Sequence, residues 1–518
     1  MSSNMSKRYS IEKTDSRHGD ITILDAEKDD FAKDETITRV REVNGQRQRR
    51  MSSYGGGRRS SLGVIQGPPG RRMSLNPTAG MTELEKVEYL ADVAEDGEVK
   101  FHKLSWLQLT IVLIVTAVAL GTLSMPVVFA SLGMVGGILI TIFMGFVAIY
   151  TSYVIGQVKL KYPQVCHYPD IGPLLLPGAA GVALRKFLQV CFVVFLVLIV
   201  GSHCLTGQIA FKTISDNDTL CKVVWSVVAM ILLFVCALPP SFSEMSVLGY
   251  IDFLSIMSAV FVTLIATGIQ ARKKDWETGW TAAAPDIPFA YGMLAATNVL
   301  FAYSFAVCQF SFMEEMHTPS DFPKSIYTLG AVQITIYTTV GALGYAFVGP
   351  EVKSPSLLSA GHTVSRVAFG VALPVIFISG SICAVTAGRF IMDHAFQHST
   401  VRYVNTPRGW MTWIGLIAAC CLIAWIVAQV IPVFSPLLGI ISALFNSAFT
   451  LYLPGIMWFK LIREGGCFSS AKNITLTIIN IIVIIFGLVI FGAGTYASVF
   501  DMAQSYKGKS VGKPFACK

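Results

Sequence analysis

From residue 104 onward the chain reads as long apolar runs separated by short polar ones. A helix needs about 20 residues to cross a ~30 Å hydrocarbon layer. Eleven runs approach or exceed that length: Leu104–Ser131, Val135–Val158, Phe187–Phe211, Val223–Pro239, Met245–Gln270, Tyr291–Met313, Ile326–Val348, Arg366–Ile391, Trp410–Gln429, Pro432–Phe459 and Ile474–Val499. Ten-residue alternating strands of the barrel kind are absent, so the pattern predicts an all-α polytopic membrane protein of 11 transmembrane helices. Residues 1–103 are rich in Ser, Gly, Arg, Asp and Glu without sustained apolar periodicity, and are predicted to be a disordered cytoplasmic N-terminal tail. The tail does not begin with an apolar h-region, so the first apolar run is expected to act as the insertion signal.

The starts of runs one to five and six to ten are offset by 179 to 191 residues. That regularity predicts two five-helix repeats. Because five is odd, the second repeat enters the membrane from the opposite side, giving an inverted pair. The expected organisation is a first repeat over 104–270, a second over 271–459, an eleventh helix in 460–500 and a short C-terminal tail over 501–518. In inverted-repeat transporters the first helix of each repeat is interrupted at the membrane midplane, where bare N–H and C=O groups hold the solute. Gly121, Thr122, Leu123 and Ser124, with Pro126 behind them, form the expected break in the first run, since glycine loosens the chain and proline removes a donor. By position the matching break falls at Ala302, Tyr303, Ser304 and Phe305. Such a site grips a zwitterion with main-chain dipoles and needs no charged side chain. The small and aromatic residues here leave an apolar space, so the predicted substrate is a neutral amino acid.

Composition narrows the class further. Only 22 Lys and Arg and 15 Asp and Glu remain in the 414 residues after 104, far below the ~25% of a soluble domain. A soluble enzyme is excluded, and the net charge of +8 is too scattered to imply nucleic acid. The densest basic group, Arg39 to Arg72, sets the N-terminus in the cytoplasm. Alternation then puts Arg272, Lys273, Lys274 and the basic C-terminal tail outside, against the usual bias. Seven of the 11 cysteines lie inside apolar runs, so neither a disulfide framework nor a metal site is expected, and no cofactor is implied.

Ionisable residues inside spans are functional candidates because burying them is costly. Asp252 and His203 are the candidates to carry a coupling proton, with Ser379 and Ser381 as a lesser candidate lining for a small cation. Arg389 and Asp393, four apart, are expected to pair, and Glu314 and Glu315 to belong to a cytoplasmic gate. Asn217-Asp218-Thr219 is a glycosylation sequon in an external loop. In the tail, paired arginines precede Ser52, Ser60, Ser61 and Ser74, a pattern suited to a basophilic kinase whose phosphates would weaken attraction to anionic membrane lipid.

Three segments carry a resemblance: Gly121-Thr122-Leu123-Ser124-Met125-Pro126 with Ser131-Leu132-Gly133-Met134-Val135-Gly136-Gly137; Phe301-Ala302-Tyr303 to Glu314-Glu315-Met316; and Pro319-Ser320-Asp321-Phe322-Pro323-Lys324. Over residues 100 to 500 the chain resembles the amino acid/auxin permease family. Its tail and the run Pro432-Val433-Phe434-Ser435-Pro436-Leu437-Leu438-Gly439 make it most similar to fungal neutral amino-acid permeases of the methyltryptophan-resistance type. One departure is Ala119, where the family often carries glycine. The resemblance implies a LeuT-like fold and proton symport of neutral aliphatic and aromatic amino acids at the plasma membrane, with a vacuolar or vesicular exporter as the alternative.

Overall fold

The computed structural model describes residues 105–508 apart from 217, 218, 241, 285, 397, 398, 400, 402, 403 and 405, and also residues 514, 515 and 517; for 115, 116 and 242–247 it describes the backbone only. The predicted tail, its serines Ser52, Ser60, Ser61 and Ser74, and Asn217 lie outside the described residues.

Every element in the described order is helical. The main helices are α1 (Trp106–Lys161), α2 (Gly178–Ser215), α3 (Lys222–Cys236), α4 (Phe242–Lys273), α5 (Phe289–Ala302), α6 (Gln309–Glu314), α7 (Phe322–Val348), α8 (His362–Ala395), α9 (Pro407–Val430), α10 (Phe434–Ile462) and α11 (Ala471–Lys507). Among the described residues eight of these are long and apolar enough to cross a membrane, or nine if α5 and α6, bent by 44° at their junction, count as one. The surface agrees with that reading: Phe146, Val190, Leu254, Ile265 and Ile482 stand exposed on helix flanks, where only lipid leaves them unpenalised.

Local chemistry sets where helices begin and turn. At the start of α1, Ser105 Oγ accepts from Gln108 N–H and Gln108 Oε1 accepts from Ser105 N–H at 2.9 Å, a capping box. At 56 residues α1 would run about 84 Å at 1.5 Å per residue, far beyond one crossing. It folds back at Gly133, whose φ of 80° suits glycine and where a Cβ would lie 2.7 Å from Ala284 N. The N–H groups freed there donate to loop carbonyls, Met134 to Thr281 at 3.0 Å and Val135 to Ala282 at 2.9 Å. Within the bundle, α1 packs mainly on α7 and α5, whereas α2 packs on α3, α8 and α9. Glycines let these helices close up: Gly156 admits the Phe322 ring and Gly330 admits Ile149.

Two expectations fail. The first run is not interrupted at Gly121 to Ser124, because α1 is helical throughout that segment and its hydroxyls turn back on their own helix. Thr122 Oγ1 donates to Val118 O, and Ser124 Oγ donates to Gly121 O at 2.8 Å. Nor are the cysteines all unpaired, since Cys221, at the start of α3, is disulfide-bonded to Cys517, 296 residues later. The aromatic side chains beside that bond brace it: Phe515 meets the Trp425 ring edge-on at 5.7 Å, and Trp425 Nε1 donates to Ser226 Oγ at 2.8 Å.

Candidate functional site

A cleft lies in the middle of the bundle. Four segments build it. Ala117 and Leu120 come from α1, and Phe195, Ile199 and His203 from α2. Phe301, Ser304, Phe305, Cys308 and Phe312 come from the α5–α6 junction, and Ile382, Cys383 and Thr386 from α8. No Asp, Glu, Lys or Arg is among these lining residues. The wall is therefore apolar and aromatic, with an imidazole, two hydroxyls and two thiols set into it.

The α5–α6 junction is the interrupted helix. Helix α5 ends at Ala302, Tyr303 takes φ −95° and ψ 22°, and a tight 3₁₀ turn over Ser304–Cys308 leads into α6. Tyr303 is fully buried with its ring edge-on to Tyr337 at 5.2 Å, and its hydroxyl has no hydrogen-bond partner among the described residues. Beside the turn, Ser152 Oγ donates to Gln309 Oε1, and Gln309 Nε2 returns a bond to Ser152 O at 2.8 Å. Thus α1 clamps the start of α6.

Of the residues expected to bind substrate, Ser304 and Phe305 line the cleft. Ala302 and Tyr303 stand at the junction behind that wall. Gly121, Thr122, Leu123 and Ser124 are buried in continuous helix, with Gly121 packed so closely that a Cβ would lie 2.9 Å from Ala302 Cβ. Of the coupling candidates, His203 lines the cleft. Its Nδ1–H donates to Ile376 O at 2.8 Å and its Nε2 lies 3.5 Å from Ser379 Oγ, so His203 and Ser379 come together. Ser381 Oγ donates within its own helix to Ile378 O at 2.7 Å. Asp252 stands apart from the cleft in α4, fully buried, with neither carboxylate oxygen bonded among the described residues.

Sequence reasoning missed Ala117, Leu120, Phe195, Ile199, Phe301, Cys308, Phe312, Ile382, Cys383 and Thr386. The signal was available as helical periodicity: Phe195, Ile199 and His203 are spaced by four, and Ser379, Cys383 and Thr386 follow one face of α8.

At one end of the bundle the expected gate residues meet a polar cluster. Lys159 is paired with Glu314, and its ammonium also donates to Val165 O at 2.7 Å. His167 bridges Ser311 Oγ at 2.8 Å and Asp393 Oδ2 at 3.0 Å. Asp170 meets Arg185 at 2.8 Å and His394 at 3.3 Å. Burial works to raise the Asp170 carboxyl, but the His394 hydrogen bond, the His167 imidazole and the His167 N–H outweigh it and hold the group below its usual range. Burial pushes Glu315, next to the end of α6, up to about 8 against the opposing pull of Arg389, with Asp393 and Glu314 adding to the rise.

Known proteins agree with this architecture. Over 432 residues the chain is 49% identical to the N amino acid transport system protein of Neurospora crassa, covering 82% of this chain and 90% of that one. A transmembrane transporter of Gibberella moniliformis is 27% identical over 453 residues, 86% of this chain and 94% of its own length. Among solved structures, MhsT in complex with L-phenylalanine superposes with a TM-score of 0.51 at 13% identity, covering 75% of this chain and 98% of that one, a likeness of fold. Residues 102–500 match the family described as transmembrane amino acid transporter protein, and the chain belongs to that family of multi-pass amino acid transporters.

Proposed function

We propose that this chain is a secondary active importer of neutral aliphatic and aromatic amino acids, driven by proton symport at the plasma membrane. The observation that carries the substrate class is the cleft wall. Phe195, Phe301, Phe305, Phe312, Ile199 and Ile382 suit an apolar or aromatic side chain, and the absence of an ionised lining residue disfavours a charged one. Main-chain groups at the Tyr303 break would hold the ammonium and carboxylate, as half-helix ends do in such transporters. MhsT, whose fold is similar, is solved in complex with L-phenylalanine, an amino acid of the proposed class.

Eleven spans in two inverted repeats plus one remain our reading, and the disulfide supports it. Two bonded cysteines share one side of the membrane, so the chain crosses an even number of times between Cys221 and Cys517. Taking α5 and α6 as one, seven helices after Cys221 pass as spans, and the 15-residue apolar α3 makes the number even. Counting α1 as two spans about Gly133 and adding α2 then gives eleven. A disulfide forms in an oxidising compartment, which favours an external C-terminus and a cytoplasmic N-terminus. Phosphorylation at Ser52, Ser60, Ser61 and Ser74 and glycosylation at Asn217 remain part of the proposal.

Asp252 is the proposed proton carrier, being a carboxyl inside a span with neither oxygen bonded among the described residues. The test is uptake of radiolabelled leucine and phenylalanine by permease-deficient cells expressing the chain, run across pH, with and without sodium, and with a protonophore. Stimulation at acid pH that is indifferent to sodium and abolished by the protonophore is expected. Dependence on sodium would remove the proton assignment. Asp252→Asn should lose the acid stimulation, and an unchanged pH profile would take Asp252 out of the coupling path.

A further inference from the structure

Tyr337 lies outside the cleft, yet it holds two of the cleft's walls. It sits on α7, fully buried, and its hydroxyl is 2.8 Å from Ala117 O in α1 and 3.0 Å from Ala302 O at the end of α5. A phenol has one proton to donate, so the two carbonyls share it. Gln333, one turn earlier on α7, donates through Nε2 to the phenolic oxygen at 3.4 Å, which orients the hydroxyl toward the carbonyls. Gly121 leaves the necessary space, since a Cβ there would lie 3.1 Å from the Tyr337 oxygen.

Both acceptors belong to the site's frame. Ala117 itself lines the cleft, and Ala302 is the last residue before the break, between the lining residues Phe301 and Ser304. The final carbonyls of a helix lack intrahelical donors, so a hydroxyl supplied by a neighbouring helix favours the interruption at Tyr303. We infer that Tyr337 is a positioning residue for substrate binding: its hydroxyl fixes the α1 wall of the cleft against the wall formed by the broken helix. The inference rests on the transport reading above. Without the shared proton, Ala117 O and the Ala302 carbonyl face each other unmediated, and two like dipoles push the walls apart. A substrate that needs both walls then binds more weakly, while the route across the membrane is kept.

The experiment measures initial uptake rates of radiolabelled leucine for the full chain and for Tyr337→Phe, normalised to surface-exposed protein by impermeant biotinylation. Tyr337→Phe should raise KM about tenfold, roughly the loss of one well-placed hydrogen bond, with maximal rate per surface molecule within about twofold of the parent. A purely structural tyrosine would lower the number of surface molecules and leave KM alone, so a KM within twofold of the parent overturns the inference whatever happens to the rate. Gln333→Met, which keeps the bulk and removes the orienting donor, covers the case in which Tyr337→Phe does not reach the surface. It should raise KM about threefold, and an unchanged KM there overturns the inference as well. Failure of the parent chain to take up any amino acid is seen in the same assay and counts against the transport reading itself.

Discussion

Two segments of the bundle, Leu120 to Pro126 in α1 and Phe301 to Cys308 at the α5–α6 junction, reverse what their residues suggest. The first holds Gly121 and Pro126 and stays helical; the second holds neither glycine nor proline and breaks. The difference lies in the neighbours. In α1, Thr122 and Ser124 return their hydroxyls to carbonyls of their own helix, and Pro126 nests against Gly344 of α7. At the junction, Tyr337 of α7 supplies a donor to the Ala302 carbonyl, Gln309 trades hydrogen bonds with Ser152, and Gly121 allows close approach. In a membrane a helix gives up its own hydrogen bonds where other elements replace them. Glycine and proline make a break cheap, and replacement partners make it happen.

The strongest way to break this comparison is to take away the space that admits the interrupted helix. Gly121→Leu drives a side chain into the Ala302 backbone and the Tyr337 hydroxyl, where even a Cβ has 2.9 to 3.1 Å. Because part of the obstacle is backbone, we expect destabilisation of about 3 kcal/mol, at the upper end of overpacking, and loss of uptake. Thermal melting in detergent and uptake per surface molecule check this, and near-parental values for both would mean that the contact does not shape the junction.

A smaller effect sharpens the far end of the broken helix. Glu315 has a folded value of about 8, above its unfolded value, so the folded state binds the extra proton. Stability should therefore fall as pH rises from the ordinary carboxyl range to about 8 and change little from this group beyond it. Glu315→Gln removes that decline, and its melting temperature should exceed the parent's by a few degrees at pH 8 and match it near pH 5. A parallel decline in both proteins would show that Glu315 is ionised in the fold. Smallest of all should be Pro126→Ala. Because α1 is continuous here, restoring an N–H and trimming a ring packed on Gly344 should change leucine uptake by no more than about twofold. A tenfold loss would return the interruption to α1.

The long apolar helices were legible because a hydrocarbon layer demands runs of about 20 apolar residues, and no tertiary contact alters that. The location of the break at Tyr303 was legible too, though only through the spacing of the apolar runs. The state of Leu120 to Pro126 was not, since hydroxyl-to-own-backbone bonds and the shelter of Gly344 depend on packing that local sequence does not encode. For the cleft, His203, Ser304 and Phe305 were visible as residue types, whereas Phe195, Ile199 and Thr386 required following a helical face from a residue already suspected. Tyr337 carried no local signal at all, because its acceptors lie 220 and 35 residues away. The disulfide was equally hidden by its 296-residue separation, although Cys221 and Cys517 are among the few cysteines outside apolar runs.

That bond bears on how the protein can be labelled. A reporter fused behind Lys518 would share the compartment of Cys221 and would have to fold in its redox and acid conditions. The brightness of a thiol-rich or acid-quenched fluorophore placed there would follow the redox state and acidity of that compartment as well as the abundance of the protein.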